Sequence, residues 1–203
     1  MPYHSCEIRW FTAEPGPLST TFEKLPGAGR REPARTDWYL NGKTLQTNVK
    51  VREGRHEIKI MTAPSEQHPK GRIEHWAKWS HEASPGLEQL LPGKDGNEWL
   101  AIEKERRIKT FTRLPSGELQ LQEGEETQEG CDAEYSRIYL PSQGREYHTF
   151  CFEAFSATGQ QRAHLYQALE QFSEQLCFLP EISSFGYPQF MLSLAINGPG
   201  SAP

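Results

Sequence analysis

The chain predicts an α+β fold that is mainly β: a barrel or sandwich of eight or more strands with a C-terminal helix packed outside the sheet. Two observations carry this reading. Short segments in which charged and aliphatic residues alternate with period two recur along the chain, each giving a strand with one charged and one apolar face. Toward the C-terminus the apolar residues Leu165, Leu169, Phe172 and Leu176 are spaced instead by four, three and four, which is the stripe of a helix. At 203 residues the chain is long enough for one large domain of this kind.

Residues 4–12 alternate as a strand, with Ser5, Glu7, Arg9 and Phe11 on one side and Cys6, Ile8 and Trp10 on the other. Residues 14–35 are rich in Pro and Gly and form a loop, with a short helix at 19–25 capped by Ser19 or Thr20. The run Pro26-Gly27-Ala28-Gly29-Arg30-Arg31 inside it lacks the preceding strand and the following Lys-Ser/Thr of a phosphate loop. A strand at 36–40 reaches Asn41-Gly42, a strong hairpin signal.

Residues 48–61, NVKVREGRHEIKIM, form a further hairpin around the loop Glu53-Gly54-Arg55-His56. Lys50 and Arg52 lie opposite Val49 and Val51, and Glu57 and Lys59 lie opposite Ile58 and Ile60. A polar, Pro-containing loop at 63–71 leads to a strand at 72–80, where Glu74, Trp76 and Lys78 alternate with Ile73, His75, Ala77 and Trp79. Its two tryptophans fall on opposite faces and make no single stacking platform.

A short helix at 86–91 ends at Pro92-Gly93. Residues 98–111 suit a helix by propensity, but the surrounding β pattern favours a strand with Lys104 and Arg106 on one face. Strands at 118–122, 131–139 and 147–155 follow, the first two separated by an acidic loop at 123–129. Asp132 and Glu134 share a face of the second, and Cys151 and Glu153 a face of the third. The helix then spans 158–177 and ends before Pro180; an apolar piece at 185–194 leads into a disordered Gly/Pro tail at 197–203.

A net charge of -5 with 24% charged residues argues against a surface for nucleic acid or anionic membrane. No apolar run approaches a membrane span and no basic-then-apolar leader opens the chain, which gives the expectation of a soluble, cytoplasmic protein. Cys6, Cys131, Cys151 and Cys177 contain no C-x-x-C pair and read as free thiols, Cys151 as a buried small hydrophobe rather than a nucleophile. The 7 histidines show no H-E-x-x-H or similar metal spacing. No feature specifies an oligomeric state.

The charged faces leave two arrangements open. Turned inward, they gather Arg9, Lys50, Arg52, Lys59, Lys104 and Arg106 against Glu7, Glu57, Glu74, Asp132, Glu134 and Glu153. Like charges about 4 Å apart repel by about 4 kcal/mol at an effective dielectric of about 20. Such a lumen must be wet, closely ion-paired, or occupied by a polyanion and a metal. Turned outward, the charges leave an apolar lumen lined by Trp10, Val49, Val51, Ile58, Ile60 and Ile102, which suits a lipocalin-like carrier.

The order of these elements resembles the CYTH, or triphosphate tunnel metalloenzyme, superfamily. The likeness lies in Ser5-Cys6-Glu7-Ile8-Arg9, Asp37-Trp38-Tyr39-Leu40, Lys50-Val51-Arg52, Glu57-Ile58-Lys59, Lys104-Glu105-Arg106, Asp132-Ala133-Glu134, Cys151-Phe152-Glu153 and Ser184-Phe185-Gly186-Tyr187-Pro188. The resemblance implies a single domain over residues 1–196 that forms a closed or nearly closed antiparallel eight-stranded tunnel with inward polar residues. It implies that Arg9, Lys50, Arg52, Lys59, Lys104 and Arg106 bind a triphosphate or other phosphorylated small molecule, and that Glu7, Glu134 and Glu153 hold Mg²⁺ or Mn²⁺.

Hydrolysis at such a site would use Glu7 and Glu153 as catalytic carboxylates. Ser5 and Cys151 stand where the family carries glutamates, and Arg9 where it carries Lys, so two hard oxygen ligands are absent. The alternative within the resemblance is a catalytically inactive module that binds the phosphorylated ligand.

Overall fold

In a computed structural model of the chain, residues 2–41, 44–83, 99–122, 127–177 and 179–197 are described. The strands are β1 (Tyr3–Thr12), β2 (Arg30–Arg31), β3 (Arg35–Leu40), β4 (Thr47–Arg52), β5 (Arg55–His68), β6 (Gly71–Glu82), β7 (Trp99–Arg113), β8 (Leu119–Leu121), β9 (Glu129–Leu140) and β10 (Arg145–Ser156). The helices are α1 (Gly16–Lys24), α2 (Gln161–Gln171) and α3 (Tyr187–Asn197).

Antiparallel pairing runs β7-β3-β4-β5-β6-β1-β10-β9, and β9 returns to β7 from Glu103↔Tyr139 to Thr112↔Gly130. This closes an eight-stranded barrel with two extra strands. β7 is the longest strand at 15 residues and outruns β3, and its remaining edge is covered by β2 at Arg30↔Ile108 and β8 at Phe111↔Leu121. Pairing on both edges explains why its Glu-Lys-Glu-Arg-Arg run is extended despite its helical propensity. Gly130 permits the closure, because a Cβ there would lie 2.1 Å from the Phe111 carbonyl oxygen.

The outward face of β1, β9 and β10 carries the larger core. Ile8, Trp10, Ala133, Phe150 and Phe152 are fully buried beneath α1 and α2. α2 therefore lies outside the barrel, with Leu165, Leu169, Phe172 and Leu176 all buried in that layer. It is shorter than 158–177: the chain turns from residue 172 onward, while Ser156 Oγ and Glu129 Oε1 accept the backbone N–H groups of residues ahead of the helix. Lys109, outward on β7, is 1% exposed because its Nζ donates to the Phe22 and Leu25 carbonyls at the end of α1 (2.8 and 2.7 Å).

A second core fills one end of the barrel. Phe11, Tyr39, Ile102, Ile138, Leu140 and Tyr147 project from the inner wall and pack on Phe185, Tyr187, Phe190, Met191 and Leu194. The apolar piece at 185–194 is thus mainly α3, which plugs that end. Phe190 stacks on Phe11 (4.5 Å) and meets Tyr147 edge-on (5.1 Å). The approach to α3 is tied to β1 where β6 has stopped, through Phe11 N to Ser183 O and Phe185 N to Arg9 O (both 3.0 Å).

Several boundaries differ from the sequence expectation. α1 begins at Gly16, before Ser19, whose hydroxyl donates back to the Pro15 carbonyl (2.8 Å) instead of capping. The hairpin loop is two residues long, Glu53 at φ 46 and Gly54 at φ 70, with Arg55 and His56 already in β5. The expected loop at 63–71 is mostly strand: β5 continues through Pro64, and register shifts at Met61/Ala63 and Ala63/Glu66 leave its missing N–H without a ladder position to fill. The strand at 118–122 is β8, outside the ring. The helix at 86–91, Gly42 of the hairpin signal, most of the acidic loop and all but Asn197 of the tail lie outside the described residues.

Candidate functional site

The charged faces turn inward. Strand alternation and register bring Glu74, Glu7, Glu153 and Asp132 into one row across β6, β1, β10 and β9, through the pairs Glu7↔Glu74, Glu7↔Glu153 and Glu153↔Asp132. The next row toward α3 is Arg9↔Cys151↔Glu134. The opposite wall carries mainly cations, with Lys50 facing Glu57 and Tyr39, and Lys59 facing Lys78. Trp10, Val49, Val51, Ile58 and Ile60 face away from the lumen, Trp10 and Val51 fully buried there, so the apolar-lumen alternative is overturned; Ile102 is inward but shares its face with Lys104 and Arg106.

Most of the lumen charges are mutually paired. Lys59 Nζ donates to Glu7 (3.0 Å) and to Glu153 (3.1 Å). Glu134 is held by Arg9 (3.1 Å) on one oxygen and by Arg106 (3.0 Å) on the other, and Ser136 also donates to it. Glu57 pairs with Arg52 (2.6 Å) and Lys50 (3.1 Å). Asp37, fully buried, is ringed by Arg35 (2.9 Å), Lys104 (3.1 Å) and Lys50 (3.4 Å). Glu32, between β2 and β3, pairs with Arg35 and Arg106.

These pairings set the protonation states. Burial pulls Lys50 and Lys104 down to about 8, with Asp37 opposing it. Burial pushes Glu57 and Glu153 up, but Lys50 and Arg52 on the first and Lys59 on the second outweigh it and bring each to about 2. Glu74 rises to about 7, through burial and then the Glu7 carboxylate. Asp132 rises to about 6, chiefly through burial; Thr110 donates to it (2.7 Å), and it makes no ion pair among the described residues. Burial pushes the Cys151 thiol well up and it is 0% exposed, which fits a packed thiol.

The charges line a cavity of about 80 Å³. Its lining holds the cations Arg9, Lys50, Arg52, Lys59, Lys78, Lys104 and Arg106 against the carboxylates Glu7, Glu57, Glu134 and Glu153, an excess of three positive charges. Asp37, fully buried on the inner face and paired with Lys50 and Lys104, lowers that excess to two. All six expected phosphate-binding residues therefore meet in one lumen. Lys78 joins them, and it makes no ion pair among the described residues. Tyr187 and Pro188 of α3 close the cavity, while a second groove of about 460 Å³ at the other end is lined by Tyr3, Arg30, Ile108, Asp132 and Phe155 among others.

The three expected metal ligands also line the cavity but do not converge. Among the described residues no group of three or more His, Cys, Asp or Glu side chains is arranged to hold a metal ion. Glu7 and Glu153 fit one cation between them, the place that the Lys59 ammonium takes. Glu134 does not join them, because both its oxygens are committed to Arg9 and Arg106.

Sequence reasoning named Asp37, Tyr39 and Tyr187 only as parts of short motifs and left Glu32 out. Asp37 and Tyr39 alternate on one face of β3, a legible signal. Glu32 and Tyr187 lie outside any alternating strand and had none.

No family model matches the chain, and no curated protein matches it. Among solved structures it is similar to a conserved hypothetical protein from Pyrococcus furiosus, at 13% identity over 83% of this chain and 90% of that one, with a TM-score of 0.48. It is also similar to the PH1012 protein from Pyrococcus horikoshii OT3, at 12% identity over 87% of this chain and 90% of that one, with a TM-score of 0.45.

Proposed function

We propose that the lumen binds a phosphorylated small molecule, a triphosphate or similar polyanion, as the resemblance to the triphosphate tunnel metalloenzymes implies. The observation that carries this is the excess of cations lining a cavity to which Arg9 and Tyr187 contribute, with Arg9 Nε and Tyr187 Oη, both buried, having no hydrogen-bond partner among the described residues. Buried donors without partners are costly, and anionic oxygens satisfy them with charge-assisted bonds. Phosphate oxygens would compete with Glu57 and Glu134 for Arg52, Arg9 and Arg106.

Calorimetric titration with inorganic tripolyphosphate, with and without chelator, tests this. Chelator-independent binding that Lys78→Ala weakens, at unchanged circular dichroism, is the expected result. Absence of binding at millimolar tripolyphosphate and low salt would sink the proposal.

A second reading adds hydrolysis, favoured by the Glu7 and Glu153 pair around a cation position. These two residues would hold Mg²⁺ or Mn²⁺, and the ion would supply charge stabilisation for a departing phosphate. Phosphate release that requires either ion and vanishes in Glu153→Gln supports it; release unchanged in that variant excludes it.

A further inference from the structure

We infer that Tyr187 is a ligand-binding residue, its phenol hydroxyl donating to an oxygen of the anion in the lumen and so joining the bound ligand to the plug helix α3. This rests on the reading of the lumen as an anion site and adds a residue and a consequence to it. Tyr187 opens α3, and its ring stacks on Tyr39 at 5.2 Å. Two lumen cations lie against the ring, Lys104 Nζ at 4.0 Å and Arg9 Cζ at 5.0 Å from its centroid. The ring is thus positioned by contacts that do not involve its oxygen.

The hydroxyl is the unexplained part. Tyr187 is 7% exposed and lines the cavity, yet Oη has no hydrogen-bond partner among the described residues. A phenylalanine would make the same stack and the same cation contacts without burying an unpaired hydroxyl. Burial pushes the phenol well above its usual range, so at neutral pH it is a donor. The orphan Arg9 Nε belongs to the guanidinium that lies against the same ring, so two donors await one acceptor in the same part of the lumen. An oxyanion there meets both, while the Lys104 ammonium beside the ring supplies charge.

Tyr187→Phe separates this from a structural role. If the hydroxyl serves only a ligand, its removal leaves the unliganded protein as stable as before or more so, and weakens tripolyphosphate binding by about tenfold or more, as for a hydrogen bond to a charged group. Tripolyphosphate should also slow amide exchange in α3 of the wild type more than in the variant.

Wild-type binding that Tyr187→Phe changes by less than twofold overturns this inference and leaves the lumen reading intact. A variant less stable without ligand overturns it as well, since the hydroxyl would then be structural. Failure of the wild type to bind tripolyphosphate overturns both.

Discussion

Glu74 reports the electrostatic character of the lumen through its own titration. Its oxygen accepts the Gly186 N–H at 3.3 Å, Arg72 lies 3.4 Å away, and burial and Glu7 raise its carboxyl from 4.5 to about 7. A carboxyl whose folded value exceeds its unfolded one holds its proton more tightly when folded. Stability from this group therefore falls as pH rises from about 4.5 through 7, by up to about 3 kcal/mol. Glu74→Gln keeps an acceptor for Gly186 and removes the ionisation, so urea unfolding should find its advantage over the wild type growing between pH 4.5 and 8. An advantage that does not vary with pH would exclude a titrating Glu74.

Lys59 gives the opposite sign, because it holds Glu153 at about 2 against burial. That stability is present above the unfolded value of 4.5 and is lost as pH falls toward 2. Lys59→Met leaves buried Glu7 and half-buried Glu153 without their ion-pair partner and is expected to cost about 2–4 kcal/mol at pH 7. The loss should shrink in acid, and equal loss at pH 7 and pH 3 would refute the pairing.

At the scale of elements, the helix that shapes the lumen most was the least legible. α2 announces itself by a stripe with one polar face, as expected of a helix lying on a sheet. α3 is mostly apolar, since residues such as Phe190 and Leu194 are enclosed by the barrel wall, and its few polar positions, Gln189, Ser193 and Asn197, are too sparse in so short a run to decide between a buried helix and a buried strand. Its importance is open to test with Phe190→Ala. This side chain is 0% exposed and contacts Phe11, Tyr147 and Tyr187, so its removal should cost about 3–5 kcal/mol by denaturant unfolding. A cost below about 1 kcal/mol would mean that α3 is not seated in the barrel end. β5 is hard to read for a different reason: Pro64 signals a loop in a flat strand, and only a bulged one accepts it.

For the whole molecule, alternation specified which residues share a face but not which face is inside, because both faces of these strands are chemically coherent. Ring closure and the helices over β1, β9 and β10 decide it: once Ile8, Trp10 and Phe152 are covered from outside, Glu7, Arg9 and Glu153 must point inward. The contribution of Glu32 is a property of the assembled barrel and has no local trace.

That assembly also sets how anion affinity depends on pH. Lys50 and Lys104 are held at about 8 by burial, so both are mostly charged at pH 7 and mostly neutral at pH 9. Two of the lumen's seven cations are then lost while Glu57 and Asp37 stay ionised and Glu74, at about 7, completes its ionisation, so the positive excess is gone. Sulfate is a suitable probe because its own charge is fixed over this range. Its affinity, read from the shift in unfolding temperature with concentration, should fall several-fold from pH 7 to 9. In Lys104→Met one of the two titrating cations is gone, so the fall should be smaller from a weaker start. Sulfate affinity that is level across this range would mean that the anion does not bind beside Lys50 and Lys104.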